Sequence, residues 1–323
     1  MADSFEMSSS SSQPPPQQQQ LSALYQEIAQ RAAVATKNWP DSSRLVQCLE
    51  YHPNPREDHQ DGVYIHHYRA PVFDMEQGPL GLIALILDGS NDGTQMYNAA
   101  AVPIVAACME QFRYFEHELR HICQDSTLHM IPTEVPHICI AMYQAHPVLL
   151  VDDDNDNNNK KERLQWKPTE PAIVEQLVQH LDTAIDALQP FCHIELTLDA
   201  LLLTPDGAMI AGFVPNSETY QTLKTATSDA ARAVLGTLTS RPKNLIHVTV
   251  GRILGFGETP PMVVPEQGQV CQLVQKYNQE VLPAVVQNMS HRTFTLQQIS
   301  LLRNTVWFCE QNIIYKTWSL GTE

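Results

Sequence analysis

The sequence is short of positive charge, of paired cysteines and of long apolar runs. Lysine and arginine number 20 against 36 aspartates and glutamates in 323 residues, a formal charge of −16. That balance gives a nucleic-acid backbone no long-range attraction, so no long nucleic acid is expected to be held by bulk charge. A nucleotide ligand has to be gripped locally. The seven cysteines (Cys48, Cys108, Cys123, Cys139, Cys192, Cys271 and Cys309) are odd in number, scattered and without a CxxC pair. Neither a disulfide framework nor a zinc knuckle follows from them, and reduced, mostly buried thiols are expected. No apolar run approaches the roughly 20 residues that cross a bilayer. The opening "MADSFEM" is acidic and lacks the apolar stretch of a secretory signal. A cytoplasmic protein with no membrane contact is the expectation.

What is present is enough apolar material, 43% of the residues, for a sizeable core. Residues 1 to 20, with "SSSSS", "PPP" and "QQQQ", are expected to be a disordered tail, because such composition buries too little to offset the entropy of ordering. The rest, 21 to 323, reads as one domain. Apolar spacing predicts helices at 21 to 38, 97 to 123, 170 to 188, 217 to 236 and 266 to 288, and a buried strand at 80 to 87. The stretch from 152 to 165 opens with "DDDNDNNNKKE" and is expected to be an acidic loop insertion. "HIELTLDALLLTP" and "AMIAGFVP" flank Asp206-Gly207, a pair that favours a tight hairpin. Two β-rich runs close the chain. Strands and helices in this order predict an α+β protein with largely antiparallel sheets.

Three polar constellations interrupt the apolar pattern. "HELRH", 117 to 121, matches HExxH, in which two histidines one helical turn apart hold zinc and the glutamate acts as base. Arg120 beside the second histidine, and Gln124 and Thr127 where the longer motif has Gly and His, favour a chance match on a helix face. "HIELTLD", 193 to 199, sets His193, Glu195, Thr197 and Asp199 on one side of a strand and reads as a solvent-facing or helix-covered sheet face. The third is a pair of strands, "VPHICIAMY" (135 to 143) and "NLIHVTVGRILG" (244 to 255). Side chains two apart share a face of a strand. His247 and Thr249 therefore point one way with Val248 and Val250 behind them, and His137, Cys139 and Tyr143 are expected together with Ile138 and Ile140 behind. Arg252 falls on the Val248 face and reads as structural.

Two H-x-polar-apolar strands in this order, on either side of a D-G hairpin, resemble the 2H phosphoesterase superfamily, which includes bacterial RNA 2′,3′-cyclic phosphodiesterases and cyclic phosphodiesterase-like proteins of plants and algae. "IHVTVGRILG", "CHIELTLDALLLTPDGAMIAGFV" and the terminal "FTLQQISLLRNTVWFCEQNIIYKTWSL" carry the resemblance over roughly residues 130 to 320. It implies a two-lobed, pseudo-symmetric fold of antiparallel sheets flanked by helices around a central cleft. It also implies hydrolysis of a 2′,3′-cyclic phosphate on a small nucleotide or RNA end, without metal or cofactor. His137 and His247 would serve as general acid and base in an order left open, with Thr249, Cys139 and Tyr143 in contact with substrate, and a monomer is expected. Cys139 departs from the pattern, since a thiol is a weaker donor than the hydroxyl due there. A catalytically weak relative that binds a nucleotide or a protein partner is the alternative.

Overall fold

The computed structural model describes residues 16–34, 52–53, 68–69, 80–88, 95–122, 126–130, 136–143, 148–152, 161–165, 170–188, 192–236, 245–256, 267–306 and 311–321. In chain order they form α1 (Pro16–Val34), β1 (His52–Pro53), β2 (Tyr68–Arg69), β3 (Leu80–Leu85), β4 (Leu87–Asp88), β5 (Gln95–Met96), a 3₁₀ turn (Ala99–Ala101), α2 (Val102–Ile122), β6 (Ser126–Met130) and β7 (His137–Met142). There follow β8 (Val148–Asp152), β9 (Lys161–Gln165), α3 (Pro171–Asp186), β10 (Glu195–Leu203), β11 (Ala208–Pro215), α4 (Thr219–Leu235) and β12 (His247–Phe256). The chain ends with α5 (Gln267–Lys276), a π-helical turn (Tyr277–Val281), α6 (Leu282–Asn288), β13 (Thr293–Thr295), β14 (Gln298–Val306) and β15 (Gln311–Ser319).

Two antiparallel sheets organise these elements, a five-stranded one in the order β13-β10-β11-β12-β6 and a four-stranded one in the order β15-β14-β3-β7. The α+β architecture expected from the sequence is the one formed, and each sheet carries one of the two histidine strands. Strand β11 is buried along its whole length, so the five-stranded sheet is covered on both faces there. The β10–β11 hairpin turns at Asp206-Gly207, where Gly207 takes a φ of 84° that a side chain would resist. The Ala208 N–H donates to Thr204 Oγ1 at 3.0 Å, and an Arg252 guanidinium N–H donates to Asp206 Oδ2 at 3.1 Å, which closes the turn against β12. Next to this turn, at the end of β10, the π-helical turn presents Asn278. Its amide donates to the Leu203 carbonyl at 2.9 Å and accepts the Leu203 N–H at 2.8 Å, satisfying backbone groups beyond the reach of β13.

Two expectations about chain organisation need correction. Helix α1 begins at Pro16, so the disordered tail expected over 1 to 20 does not include Pro16–Gln20. Proline suits a first helical turn, glutamine is a good helix former, and Gln17 Nε2 donates to Gln221 Oε1 of α4 at 3.3 Å. Residues 1–15 and 35–38 lie outside the described residues. The acidic insertion is also not wholly a loop, because Lys161–Gln165 pairs with Val148–Asp152 as a two-stranded ribbon. Residues 153–160 lie outside the described residues.

Candidate active site

His247 opens β12 and is half-buried, as is Thr249, while Val248 and Val250 between and beyond them are fully buried. The register against β11 pairs His247 with Gly212 and Thr249 with Ile210. Paired residues share a face, so the two polar side chains do stand together, as their spacing predicts. Gly212 leaves room opposite His247, and the Tyr25 ring fills it. A Cβ on Gly212 would lie 2.6 Å from that ring. Helix α1 thus packs on the His247 side of the sheet. The Tyr25 hydroxyl donates to the Ile246 carbonyl at 2.6 Å, lies 3.0 Å from the Phe213 carbonyl and accepts the Ile246 N–H at 3.3 Å. Burial pushes the Tyr25 phenol well above its ordinary pKa, the two carbonyl contacts opposing, so it is a neutral hydroxyl that pins the residue before His247.

The second histidine, His137, opens β7 and is paired with Leu85, and Cys139 is paired with Ile83. Both are half-buried and share a face with a small apolar cluster of Ile83, Leu85, Tyr97 and Leu302. Between Cys139↔Ile83 and Ala141↔Leu82 the register shifts by one, so Ile140 is extra and the strand bulges. Beyond the bulge the alternation is reversed. Tyr143, whose N–H donates to the Leu80 carbonyl at 2.8 Å, comes out on the Leu82 side rather than with His137 and Cys139. It is 1% exposed, its pKa raised by burial and opposed by a hydrogen bond with Thr227 of α4. The expectation that Tyr143 lines the site with the other two is therefore corrected, and the tyrosine is a core residue.

Strands β7 and β12 come within 8 Å of each other, Cα to Cα, so the two histidine-bearing strands meet at a seam between the sheets. Helix α4 packs against β7 at that seam. Burial lowers the Lys224 pKa and the negative form of Cys139 opposes that shift. Lys224 lies between Tyr220 and Thr227 on the buried stripe of α4, at spacings of four and three. A lysine in that stripe is the sequence signal that could have found it, and the periodicity alone was spent on the helix. Asn98 went equally unnoticed. Fully buried, it donates to the carbonyls of Leu85 and Gln298 at 2.5 and 3.1 Å and accepts the N–H groups of Gln297 and Gln298 at 2.7 and 3.2 Å. It holds in place the residue directly opposite His137.

The other constellations have structural roles. Glu118 of the HELRH stretch accepts from Lys276 Nζ at 3.0 Å and from the Tyr277 hydroxyl at 2.9 Å, clamping α2 to the α5 region, and Arg120 pairs with Glu116 at 2.8 Å. Burial raises the Glu118 pKa but those bonds outweigh it and the net shift is downward. Among the described residues no three His, Cys, Asp or Glu side chains are placed to hold a metal ion. In HIELTLD the polar side forms cross-strand contacts, with Thr197 2.8 Å from the Thr293 hydroxyl and Glu195 3.2 Å from Asn216. Arg252 pairs with Asp206 in a structural role, but the register shift that leaves Val250 extra puts it opposite Ala208 on the His247 and Thr249 face, which corrects its expected place on the Val248 face. Burial raises the Asp206 pKa, and the Arg252 charge with the surrounding hydrogen bonds more than reverses that.

No family model matches the chain, and no curated protein matches it. Among solved structures the chain is similar to E. coli LigT complexed with 3′-AMP, with 13% identity and a TM-score of 0.36, over 76% of this chain and 99% of that one. It is likewise similar to the conserved protein of unknown function ATU0111 from Agrobacterium tumefaciens str. C58, with 12% identity and a TM-score of 0.38, over 82% of this chain and 94% of that one. At such scores these likenesses add no residue assignment to the geometry above.

Proposed function

We propose that this chain is a metal-independent phosphodiesterase that opens the 2′,3′-cyclic phosphate of a small nucleotide or RNA end, with His137 and His247 as its acid and base. The supporting observation is the meeting of β7 and β12. Two strands of different sheets, each with a histidine and a smaller polar residue on one face, run within 8 Å of each other, Cα to Cα, which supports this reading. An imidazole on each side of phosphorus suits in-line opening. One takes a proton from water as its oxygen bonds to phosphorus, and the other gives a proton to the ribose oxygen as the P–O bond breaks. The product is a nucleoside monophosphate. The Thr249 hydroxyl donates to a non-bridging oxygen, and Cys139 offers a weaker contact on the other side.

The test is turnover of 2′,3′-cyclic nucleotides by purified protein in the presence of a chelator, with His137→Ala and His247→Ala alongside. Activity that survives chelation and collapses in both variants is expected. Cys139 favours one other reading, a weak or inactive relative that still binds the nucleotide. Binding without turnover in the wild type would replace the first reading with this one, and activity lost on chelation would overturn the metal-independent mechanism.

A further inference from the structure

We propose that the cavity between α1, α6 and β10 binds a small zwitterion with an apolar body, of the amino-acid class, with Asp199 holding its ammonium and Arg292 its carboxylate. The site is separate from the histidine seam and does not depend on the phosphodiesterase reading.

The cavity has a volume of about 310 Å³. That is the lower end of the range for ligand sites, with room for about ten non-hydrogen atoms. It therefore suits one small molecule and neither a peptide segment nor a nucleic-acid strand. Leu202 of β10 and Pro283 and Val286 of α6 give it an apolar lining. Ala200, also in the lining, is paired with Gly212, and Gly212 with His247. The cavity thus shares a sheet face with His247, two strands away. The Tyr25 ring lies over Gly212 between them and forms the cavity's wall on that side.

The charges come from a break in the strand. The register of β10 shifts between Leu198 and Ala200, which leaves Asp199 extra. Strict alternation sends neighbours to opposite faces, but at this bulge Asp199 and Ala200 both line the cavity. Arg292 stands beside it, since the Leu198 N–H donates to the Arg292 carbonyl at 2.7 Å. The other polar groups of the buried wall are engaged within the protein. The Asn278 amide donates to the carbonyls of Leu203 and Ala29 at 2.9 and 3.2 Å, and the Tyr25 hydroxyl to that of Ile246. The Asp199 carboxylate and the Arg292 guanidinium, by contrast, have no hydrogen bond or ion pair among the described residues, and do not pair with each other.

Two uncommitted charges of opposite sign beside an apolar cavity define the occupant. A half-buried carboxylate is screened by less water than an exposed one and takes an ammonium with its three donors. A guanidinium takes a carboxylate through two parallel hydrogen bonds. A plain cation leaves Arg292 unanswered and a plain anion meets Asp199 with like charge, whereas an amino acid answers both and lays its side chain on Leu202, Pro283 and Val286.

The test is calorimetric titration of the full chain, Asp199→Asn and Arg292→Gln with L-leucine, with 3-methylbutylamine, which lacks the carboxylate, and with 4-methylpentanoate, which lacks the ammonium. L-leucine should bind the wild type roughly tenfold more tightly than either fragment. Asp199→Asn should weaken L-leucine and the amine roughly tenfold and leave the acid no weaker than in the wild type. Arg292→Gln should weaken L-leucine and the acid by about threefold, a smaller loss because Arg292 is exposed, and leave the amine no weaker. Denaturant unfolding checks that both variants fold as the wild type does. No binding of L-leucine at millimolar concentration, or equal binding by all three proteins, would overturn the inference. Displacement of bound L-leucine by adenosine 3′-monophosphate would also overturn it, by making the cavity part of a nucleotide site, and would leave the phosphodiesterase reading standing.

Discussion

His137 stands on the outermost strand of the four-stranded sheet, whereas His247 stands on an interior strand of the five-stranded one. At the residues themselves the contrast narrows. Among the described residues β6 joins β12 only from Gly251 onwards, so His247–Thr249 is paired there with β11 alone, as His137–Cys139 is with β3. Each segment is also fixed by one buried polar side chain from outside its sheet, Tyr25 behind His247 and Asn98 behind the residue opposite His137. The backbones are thus matched, and what separates the halves is chemical. One ends in the Thr249 hydroxyl; the other ends in the Cys139 thiol. Matching backbones therefore do not fix the chemistry at the second position of each strand, which a single substitution at residue 139 or 249 can change.

The comparison breaks most sharply at the histidines. If the halves are equal partners in acid–base catalysis, His137→Ala and His247→Ala should each lower turnover of a 2′,3′-cyclic nucleotide by about 10²- to 10⁴-fold. A variant that loses little would show that one half only binds. The two anchors come next. Asn98→Ala leaves two backbone carbonyls and two N–H groups without their side-chain partner in a buried site, and should cost about 3 kcal/mol of stability by denaturant unfolding. Tyr25→Phe keeps the ring against Gly212 and removes only the hydroxyl, so a loss of about 1–2 kcal/mol is expected. Equal costs would mean that the Asn98 clamp is shared with other contacts and that the halves are held alike.

Much of this was legible in the residues. Period-two alternation placed β12 and β7 and put His247 with Thr249 and His137 with Cys139, and Asp206-Gly207 marked the hairpin. Tyr143 was misplaced because a bulge is imposed by the neighbouring strand, and nothing within "HICIAMY" reveals that β3 has one residue fewer to pair. Asn98 was invisible for a related reason. Its partners lie 13 and about 200 residues away, and only the assembled sheet brings them together. The glutamine run misled in the opposite direction. Its composition suggests disorder, yet a helix already stabilised downstream by Leu21 and Tyr25 in the core extends through it at little cost.

The smallest effect bears most directly on the difference between the halves. Cys139→Thr converts the thiol half into a copy of the hydroxyl half on a strand whose register already points residue 139 to the same face as His137. The site is half-buried, and threonine adds a methyl group while exchanging sulfur for oxygen, so β-propensity favours the change and packing against Ile83 is the only steric concern. If position 139 contacts the phosphate, turnover should hold or rise, by about threefold at most. The reciprocal Thr249→Cys removes the better donor and should lose more, roughly tenfold. Steady-state turnover of the two variants side by side decides the matter: a large loss in Cys139→Thr would mean that the thiol has a role of its own, and equal behaviour of the two would mean that the halves treat the phosphate alike.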